Sequence, residues 1–202
     1  FIKKNKTINK IIFSSVVPKV YNLFKLYFSK ILKIHCNEIK KLNLNKLIKI
    51  HVNRKQIGSD RLSNAIAVND NKNNYIIVDF GTATTFDVVI KNKYLGGIIA
   101  PGIALSLNNL ISKASLIPSL KLKKVNRILG KNTVSAVRSG FYWGYIGLVQ
   151  NIIDKISKQT NKKYKIILTG GFSHLFIRSI KQKATLDKDI TIKGLLKVIK
   201  IL

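Results

Sequence analysis

Three short apolar runs separated by polar turns constrain the fold of this chain more than any other feature. The runs cover residues 75–79, 85–90 and 94–99, and the turns between them cover residues 81–84 and 91–93. Runs of this length, rich in β-branched and aromatic residues and bounded by glycine or asparagine, are typical of strands joined as hairpins. The sequence therefore predicts three antiparallel strands in the middle of the chain.

Further strands and helices are predicted on both sides of these hairpins. Strands are expected at residues 10–15, 47–52 and 165–169, and helices at residues 17–31, 60–68, 103–113 and 133–158. The remainder, after the turn at Gly170–Gly171, is expected to be mainly helical. Ser59 or Asp60 is the predicted N-cap of the helix over residues 60–68. The pattern indicates an α/β fold with antiparallel hairpins rather than a simple doubly wound sheet.

Length and composition favour a globular chain. Of its 202 residues, 46% are hydrophobic, which is enough for one large domain or two small ones with real cores. The longest apolar stretch, residues 95–107, is interrupted by glycine and proline and is too short to cross a bilayer, so no membrane span is predicted. Cys36 is the single cysteine and has no partner for an internal disulfide, which favours a reducing cytoplasm.

The formal net charge of +29 allows two interpretations. A nucleic-acid-binding protein would concentrate its basic residues on one helix or surface patch. Here lysines are spread from Lys3 to Lys200 among isoleucine and asparagine, and a bias in genomic base composition explains that excess without any partner. We therefore expect no nucleic-acid function, although a positive surface would attract anionic substrates.

One segment, Val78-Asp79-Phe80-Gly81-Thr82-Ala83-Thr84, combines features of a phosphate site. Its carboxylate ends a strand, and a turn of small and hydroxyl-bearing residues follows. Glycine lets backbone N–H groups approach a phosphate closely, and threonine adds a further donor. Asp79 is placed where it could hold a cation against that phosphate. An ordinary hairpin turn with common turn residues explains the same pattern equally well.

Weaker signals occur at three other places. Gly58-Ser59-Asp60-Arg61 puts a carboxylate beside an arginine at a helix start, which suits a base with an anion clamp or simply a helix cap. Gly130-Lys131-Asn132-Thr133 leads into a long helix and is either an anion site or an N-cap. Gly140, Gly144 and Gly147 share one face of that helix and indicate close packing.

The set of motifs and its order resemble one known family. The succession SSVVP, GSDR, VDFGTATTFDVV, YLGGIIAPGIALS, ASLIP, GKNT, SGFYWGYIGLV and LTGG is similar to the type III pantothenate kinases. The resemblance extends from about Ile11 to the end of the chain, with the motifs in the family's order.

The resemblance implies a fold and a reaction. The fold would be that of the actin-like, sugar-kinase and Hsp70 superfamily, with two ribonuclease H-like domains. Residues 1–70 would be the remainder of the first domain with the pantothenate-binding segment, and residues 71–202 the second domain with the phosphate- and cation-binding hairpin. Such enzymes phosphorylate pantothenate with ATP and Mg²⁺, require K⁺ or NH₄⁺, and are homodimers.

The resemblance also implies roles for residues of the acceptor site. Gly58, Ser59, Asp60 and Arg61 match the pantothenate-binding segment, in which Asp60 is the catalytic base. Thr133 matches a further pantothenate contact. These roles agree with the physical requirements of phosphoryl transfer, in which a carboxylate orients and deprotonates the attacking hydroxyl.

For the nucleotide, the resemblance implies three residues of the central hairpin. Gly81 and Thr82 match the contacts to the ATP phosphates, and Asp79 matches the ligand of the monovalent cation. Positioning and charge neutralisation are the main requirements that these residues would meet.

Two departures from the family pattern stand out. The chain begins at Phe1 without the D-x-G-N-T segment with which family members begin, so we expect its true start upstream and little activity from this chain by itself. The family's substrate-contacting tyrosine, followed by Asn-Pro, corresponds to His51, with Asn53 retained and Arg54 replacing proline. His51 is either a substrate contact or a surface residue at a strand end.

Four alternative functions stay open on the sequence alone. The chain is a pantothenate kinase, a family member without activity that regulates through partners, a nucleic-acid-binding protein, or a kinase for another small hydroxylated acid. A clustered basic face and steeply salt-dependent DNA binding would favour the nucleic-acid function. Asp60, Arg61, Asp79 and Thr133 favour the first alternative, since a regulator needs none of them.

Overall fold

The structure is a computed structural model that describes residues 8 and 10–202. Within them the chain forms two compact units. The first consists of the described residues up to Lys72 together with Val89–Gly96 and Asp189–Leu202, and the second consists of Asn73–Val88 and Gly97–Lys188.

The first unit begins with two parallel strands around a helix. They are strand β1 (Lys10–Phe13), helix α1 (Pro18–Leu26), which continues as a π-helical turn (Tyr27–Ile31), and strand β2 (His35–Glu38). Helix α1 begins at Pro18 because proline has the φ of the first helical position and its missing N–H is not needed there. The predicted strand and helix are confirmed, whereas β2 was not predicted.

The other elements of the first unit lie between residues 39 and 68 and at the end of the chain. They are two short 3₁₀ helices (Ile39–Lys41 and Arg54–Gln56), strand β3 (Lys49–Ile50) and helix α2 (Ser59–Val68), with the terminal helix (Ile190–Ile199), which is α6 in chain order. Strand β3 is parallel to the start of strand β6, with Lys49 opposite Lys93 and Ile50 opposite Tyr94.

The sheet of the second unit is built on the predicted hairpins. Its strands are β4 (Asn74–Phe80), β5 (Ala83–Ile90), β6 (Lys93–Pro101), β7 (Lys165–Gly170) and β8 (Ala184–Leu186), in the order β6-β5-β4-β7-β8. The hairpin end of β5 and β6, Val89–Gly96, is counted with the first unit. Two-residue turns join β4 to β5 and β5 to β6, which confirms the predicted hairpins. Strand β7 is parallel to both of its neighbours, β4 and β8.

Helices α3 (Ile103–Lys113), α4 (Thr133–Thr160) and the short α5 (Ser173–Phe176) complete the second unit. Its core is a stack of aromatic rings among aliphatic side chains. The ring of Phe176 stacks on Phe80 at 5.0 Å and on Tyr142 at 5.8 Å. The predicted bounds of helices α3 and α4 agree with the structure to within two residues. The region after β7 contains strand β8, so the expectation that it is mainly helical is wrong there.

Helix α4 is capped at both ends. The side chain of Asn132 accepts a hydrogen bond from the backbone N–H of Ser135 (2.9 Å), and the hydroxyl of Ser135 accepts one from the N–H of Asn132 (3.0 Å). Such a capping box satisfies backbone donors at a helix start. The helix ends at Asn161, whose φ of 50° is left-handed.

The glycines of α4 do not mark a helix–helix contact. No described atom lies within 4 Å of the position that a Cβ would take at Gly140, Gly144 or Gly147. The prediction of close packing on this face is therefore wrong within the described residues. Instead, Gly140 and Gly144 form the floor of an open groove beside α3.

No helix in the described part of the chain is both long and apolar enough to cross a membrane.

Helices α2 and α6 cross at Gly194. A Cβ added there would lie 2.6 Å from the carbonyl carbon and the hydroxyl oxygen of Ser63. We expect Gly194→Ala to lower the free energy of unfolding by about 1–3 kcal/mol, because the helices must separate to make room. Urea denaturation followed by circular dichroism measures this change.

Gly147→Ala is the matched control, since it makes the same substitution in a helix where the space is open. It should raise the free energy of unfolding by about 0.5–1 kcal/mol through helix propensity alone. Equal effects of the two substitutions would show that the crossing at Gly194 is not tight.

Candidate functional site

The segment Gly58–Arg61 opens helix α2. Gly58 is the N-cap, so the prediction that Ser59 or Asp60 caps this helix is wrong; they are its first two residues. A Cβ added to Gly58 would meet Asp60 Oδ1, so a side chain there would displace the Asp60 carboxylate. Asp60 Oδ1 accepts a hydrogen bond from the backbone N–H of Arg61 (2.8 Å). The carboxylate thus lies at the positive end of the helix dipole.

Ser59 joins this helix start to the segment before helix α1. Its side chain is fully buried, and its hydroxyl donates to the backbone carbonyl of Ser15 (3.0 Å). The two segments border a cavity of about 480 Å³. Its lining also includes Tyr21, Glu38, Lys40 and Lys41. This volume lies within the range of small-molecule sites, and two of the lining side chains are cationic.

The loop before helix α2 is held by its own polar groups. The side chain of Asn53 accepts from the backbone N–H of Lys55 (3.1 Å), which caps the short helix that follows. The guanidinium of Arg54 donates to the carbonyls of Leu42 and Ile39. His51 is exposed, and its backbone N–H donates to the carbonyl of Tyr94 (3.0 Å). The loop therefore has a defined conformation with Arg54 where the family has proline.

In the second unit, parallel pairing brings Asp79 next to a glycine that is distant in sequence. Asp79 lies opposite Thr169 in the register of β4 and β7, and Phe80 lies opposite Gly170. Gly170 has a φ of 84°, and a Cβ added to it would lie 2.5 Å from Asp79 Oδ1. A Cβ at Gly81 would be 3.7 Å from the same oxygen. The carboxylate is thus bordered by two backbones without side chains.

The turn at Gly81–Thr82 has a second close neighbour. Gly102, the N-cap of α3, contacts it so closely that an added Cβ would overlap the carbonyl of Thr82 and lie 3.0 Å from the carbonyl oxygen of Gly81. Gly81 and Thr82 are themselves exposed. The start of α3, whose first N–H groups have no partner within the helix, is therefore next to the exposed turn. Such an arrangement suits the binding of phosphate.

Thr133 is the first residue of α4 and is exposed. The chain before it packs onto the helix: the hydroxyl of Ser139 donates to the carbonyls of Arg127 and Ile128, and Gly130 lies against the backbone of Ala136. Arg138 Nε donates to the carbonyl of Lys121 (3.0 Å). These contacts fix the turn that presents Thr133.

The structure thus places only some of the predicted site residues in the same unit. Gly58–Arg61 and His51 lie in the first unit, and Asp79, Gly81, Thr82 and Thr133 lie in the second. Sequence reasoning missed Gly102, although a Pro-Gly pair between a strand and a helix was a signal of a tight approach. The sequence indicated that the turn at Gly170 either lines a nucleotide or is a common strand–glycine–helix turn. Its closeness to Asp79 was not predicted, because it depends on the pairing of distant strands.

No group of three or more histidine, cysteine or acidic side chains with the spacing of a metal site occurs among residues 8 and 10–202. Mg²⁺ bound to a nucleotide is held largely by substrate phosphates and water, so it does not require an all-protein cage of this kind.

Comparison with known proteins shows the family to which the chain belongs. The sequence profile of the family described as type III pantothenate kinase matches residues 1–155. A type III pantothenate kinase of Pelagibacter ubique (strain HTCC1062) is 63% identical over 194 residues, which are 96% of this chain and 78% of that protein. One from Sulfurihydrogenibium sp. (strain YO3AOP1) is 41% identical, covering 93% of this chain and 75% of that protein.

Among solved structures, a Baf family protein from Campylobacter jejuni, described as a transcriptional activator, is similar in fold. It has a TM-score of 0.64 and 20% identity, and the match covers 99% of this chain and 86% of that one. The Alp12 filament structure has a TM-score of 0.50 and 13% identity, with 84% of this chain and 55% of that one covered. The predicted α/β fold is confirmed.

The contact between Gly102 and Thr82 can be tested by one methyl group. We expect Gly102→Ala to displace the exposed turn and to weaken ATP binding about tenfold, the effect of losing one hydrogen bond to a charged group. Titration with a fluorescent ATP analogue measures the affinity. Gly171→Ala is the control, because no described atom lies within 4 Å of the added methyl. An unchanged affinity in folded Gly102→Ala would contradict the assignment of this turn.

Proposed function

This chain belongs to the type III pantothenate kinase family, and we propose that it catalyses the ATP-dependent phosphorylation of pantothenate, the first step of coenzyme A biosynthesis. The observation that carries this proposal is the 63% identity to a type III pantothenate kinase over 96% of the chain. Phosphoryl transfer requires groups that position the substrates and neutralise charge. The helix start with an acid and an arginine would provide such groups, and so would the glycine-rich strand ends.

We assign the role of general base to Asp60. The hydroxyl oxygen of pantothenate forms a bond to the γ-phosphorus of ATP while the bond from that phosphorus to the β–γ bridging oxygen breaks. The proton of the hydroxyl passes to the Asp60 carboxylate, and ADP leaves. Since Asp60 Oδ1 accepts from the N–H of Arg61, the carboxylate has a fixed orientation at the start of α2.

The acceptor is proposed to bind at Gly58, Ser59, Asp60 and Arg61. The cavity of about 480 Å³ that ends at Gly58 and Ser59 is large enough for a small organic acid. Its cationic side chains, together with Arg61, complement the carboxylate of pantothenate. Thr133 and His51 are proposed as further substrate contacts, both with exposed side chains.

ATP is proposed to bind with its phosphates at Gly81 and Thr82. The backbone there is exposed. Because Gly102 and Gly170 have no side chains, the start of α3 and the end of β7 lie directly against Thr82 and Asp79. Mg²⁺ would be held mainly by the phosphates, where it neutralises their charge. Asp79 is proposed as the ligand of a monovalent cation, K⁺ or NH₄⁺, because its carboxylate borders the same turn. The need for ATP and the lone thiol of Cys36 both favour a cytoplasmic enzyme.

The function is tested by pantothenate-dependent formation of ADP by the full-length protein, with K⁺ and with Na⁺. We expect activity that needs pantothenate and prefers K⁺. In Asp60→Asn, kcat should fall about 10²- to 10⁴-fold, the usual contribution of a general base. Asp70→Asn makes the same change in an exposed loop and should be neutral. Folded full-length protein without pantothenate-dependent activity would overturn the proposal.

We also propose that the enzyme is a homodimer that uses the groove between α3 and α4. The groove has a volume of about 410 Å³ and is lined mainly by apolar side chains and glycine: Pro101, Leu110, Val137, Gly140, Phe141, Gly144, Tyr145 and Leu148. Leu105 and Trp143 nearby are 59% and 36% exposed. Apolar surface of this kind is typical of a protein interface, and the missing side chains of the glycines would let a second chain approach closely.

The dimer is tested by placing a charge in the groove. Gly144→Lys should convert a dimer to a monomer, because a lysine there would be buried against apolar side chains. Gln159→Lys places the same side chain on an exposed position of the same helix and should leave the dimer intact. Light scattering coupled to size-exclusion chromatography gives the mass. A Gly144→Lys protein that stays dimeric would exclude this groove as the interface.

A further inference from the structure

Helix α6, the last element of the chain, packs directly on helix α2, which carries Asp60. The two helices approach so closely at Gly194 and Ser63 that no side chain fits on Gly194. Both belong to the first unit. The ten residues of α6 therefore determine where α2 lies, although neither the reaction nor the sequence motifs single them out.

Two hydrogen bonds fix the helices at the first turn of α6. The hydroxyl of Ser63 donates to the backbone carbonyl of Thr191 (2.7 Å). The hydroxyl of Thr191 in turn donates to the side-chain oxygen of Asn64 (2.6 Å). Ser63 and Asn64 are both fully buried. Buried hydrogen bonds of this kind are directional and hold a specific register, which apolar packing alone does not.

The position of these bonds along α2 is what connects them to the site. Ser63 and Asn64 follow Asp60 by three and four residues, so they lie one helical turn from it on the same side of α2. A shift or rotation of this turn is passed to Asp60 through the rigid backbone of the helix. Thr191 therefore contacts the turn that directly supports the carboxylate.

The far end of α2 is held as well. Lys197 Nζ donates to the backbone carbonyl of Asn69 (2.9 Å), just after the helix ends. Burial lowers the pKa of Lys197, although the charge of Asp70 acts in the opposite direction. Contacts at both ends leave α2 little freedom to slide along α6.

We propose that Thr191 is a positioning residue for catalysis, which acts through Asn64 and Ser63 to hold the Asp60 carboxylate in line with the acceptor hydroxyl. The inference rests on the proposed role of Asp60. Near-attack geometry is sensitive to displacements of about 1 Å even when their cause is far from the reacting atoms. Loss of the Thr191 hydroxyl removes a donor from a buried side-chain oxygen, and α2 must move to compensate.

Thr191→Val tests the proposal, with Thr191→Ser as the conservative variant that keeps the hydroxyl. In Thr191→Val we expect kcat to fall about tenfold while KM for ATP stays within about twofold, because the nucleotide residues are elsewhere. Thr191→Ser should keep kcat near the wild-type value. If Thr191→Val does not fold, Ser63→Ala removes the other hydrogen bond and should produce the same separation of kcat from KM.

Val198→Ala is the control for general loosening of α6. Val198 is fully buried two turns beyond Thr191, so its truncation weakens the packing of the helix but leaves both hydrogen bonds in place. We expect this variant to lower Tm without lowering kcat at temperatures well below Tm. A fall in kcat equal to that of Thr191→Val would show a merely structural role, and a Thr191→Val enzyme with full kcat would overturn the proposal directly.

Hydrogen exchange separates this inference from the proposed function. Backbone amides of residues 60–64 should exchange faster in Thr191→Val than in the wild type, and by more than in Val198→Ala when the two variants are compared at equal global stability. This readout needs no activity: a wild type without kinase activity would refute the function, whereas unchanged exchange in Thr191→Val would refute the positioning contact.

Discussion

The parallel pairing of β4 with β7 is the interaction on which the second unit depends. It joins residues about ninety positions apart and places Asp79 opposite Thr169 and Phe80 opposite Gly170. One side of the pair carries the core, with Phe80 stacked on Phe176. The ends of the two strands carry the carboxylate and the glycine turn. The same backbone hydrogen bonds therefore stabilise the core and bring together the residues proposed to bind the nucleotide.

Much of this arrangement was visible in the sequence, and the exceptions have a common physical cause. The hairpins of β4, β5 and β6 were predicted because apolar runs and turn residues alternate there, and α4 because a polar turn leads into it. Strands β2 and β8 were missed because they are short and partly polar, so they are defined by their neighbours. Asp79 and Thr82 were found as one contiguous motif, whereas the closeness of Gly102 and Gly170 depends on tertiary packing.

Basic side chains outnumber acidic ones, 37 against 8, so there are too few carboxylates to pair with every lysine and arginine. Several bind backbone carbonyls instead of carboxylates: Arg54 at Leu42, Arg138 at Lys121, Lys40 at Lys55 and Lys197 at Asn69. Each fastens a loop or a helix end whose carbonyl has no partner in regular structure. These contacts are local and directional, so a broadly basic composition is compatible with a defined fold.

The first unit is completed by the last residues of the chain. Helix α6 follows the entire second unit in sequence, yet it packs on α2 near the beginning. During synthesis on the ribosome, residues 73–188 can therefore fold before α6 emerges, while the segment with Asp60 waits for residues 189–202. Until then the face of α2 that later meets α6 is uncovered. A nascent chain that has not yet reached α6 would thus have a folded second unit, while the packing of α2 is unfinished.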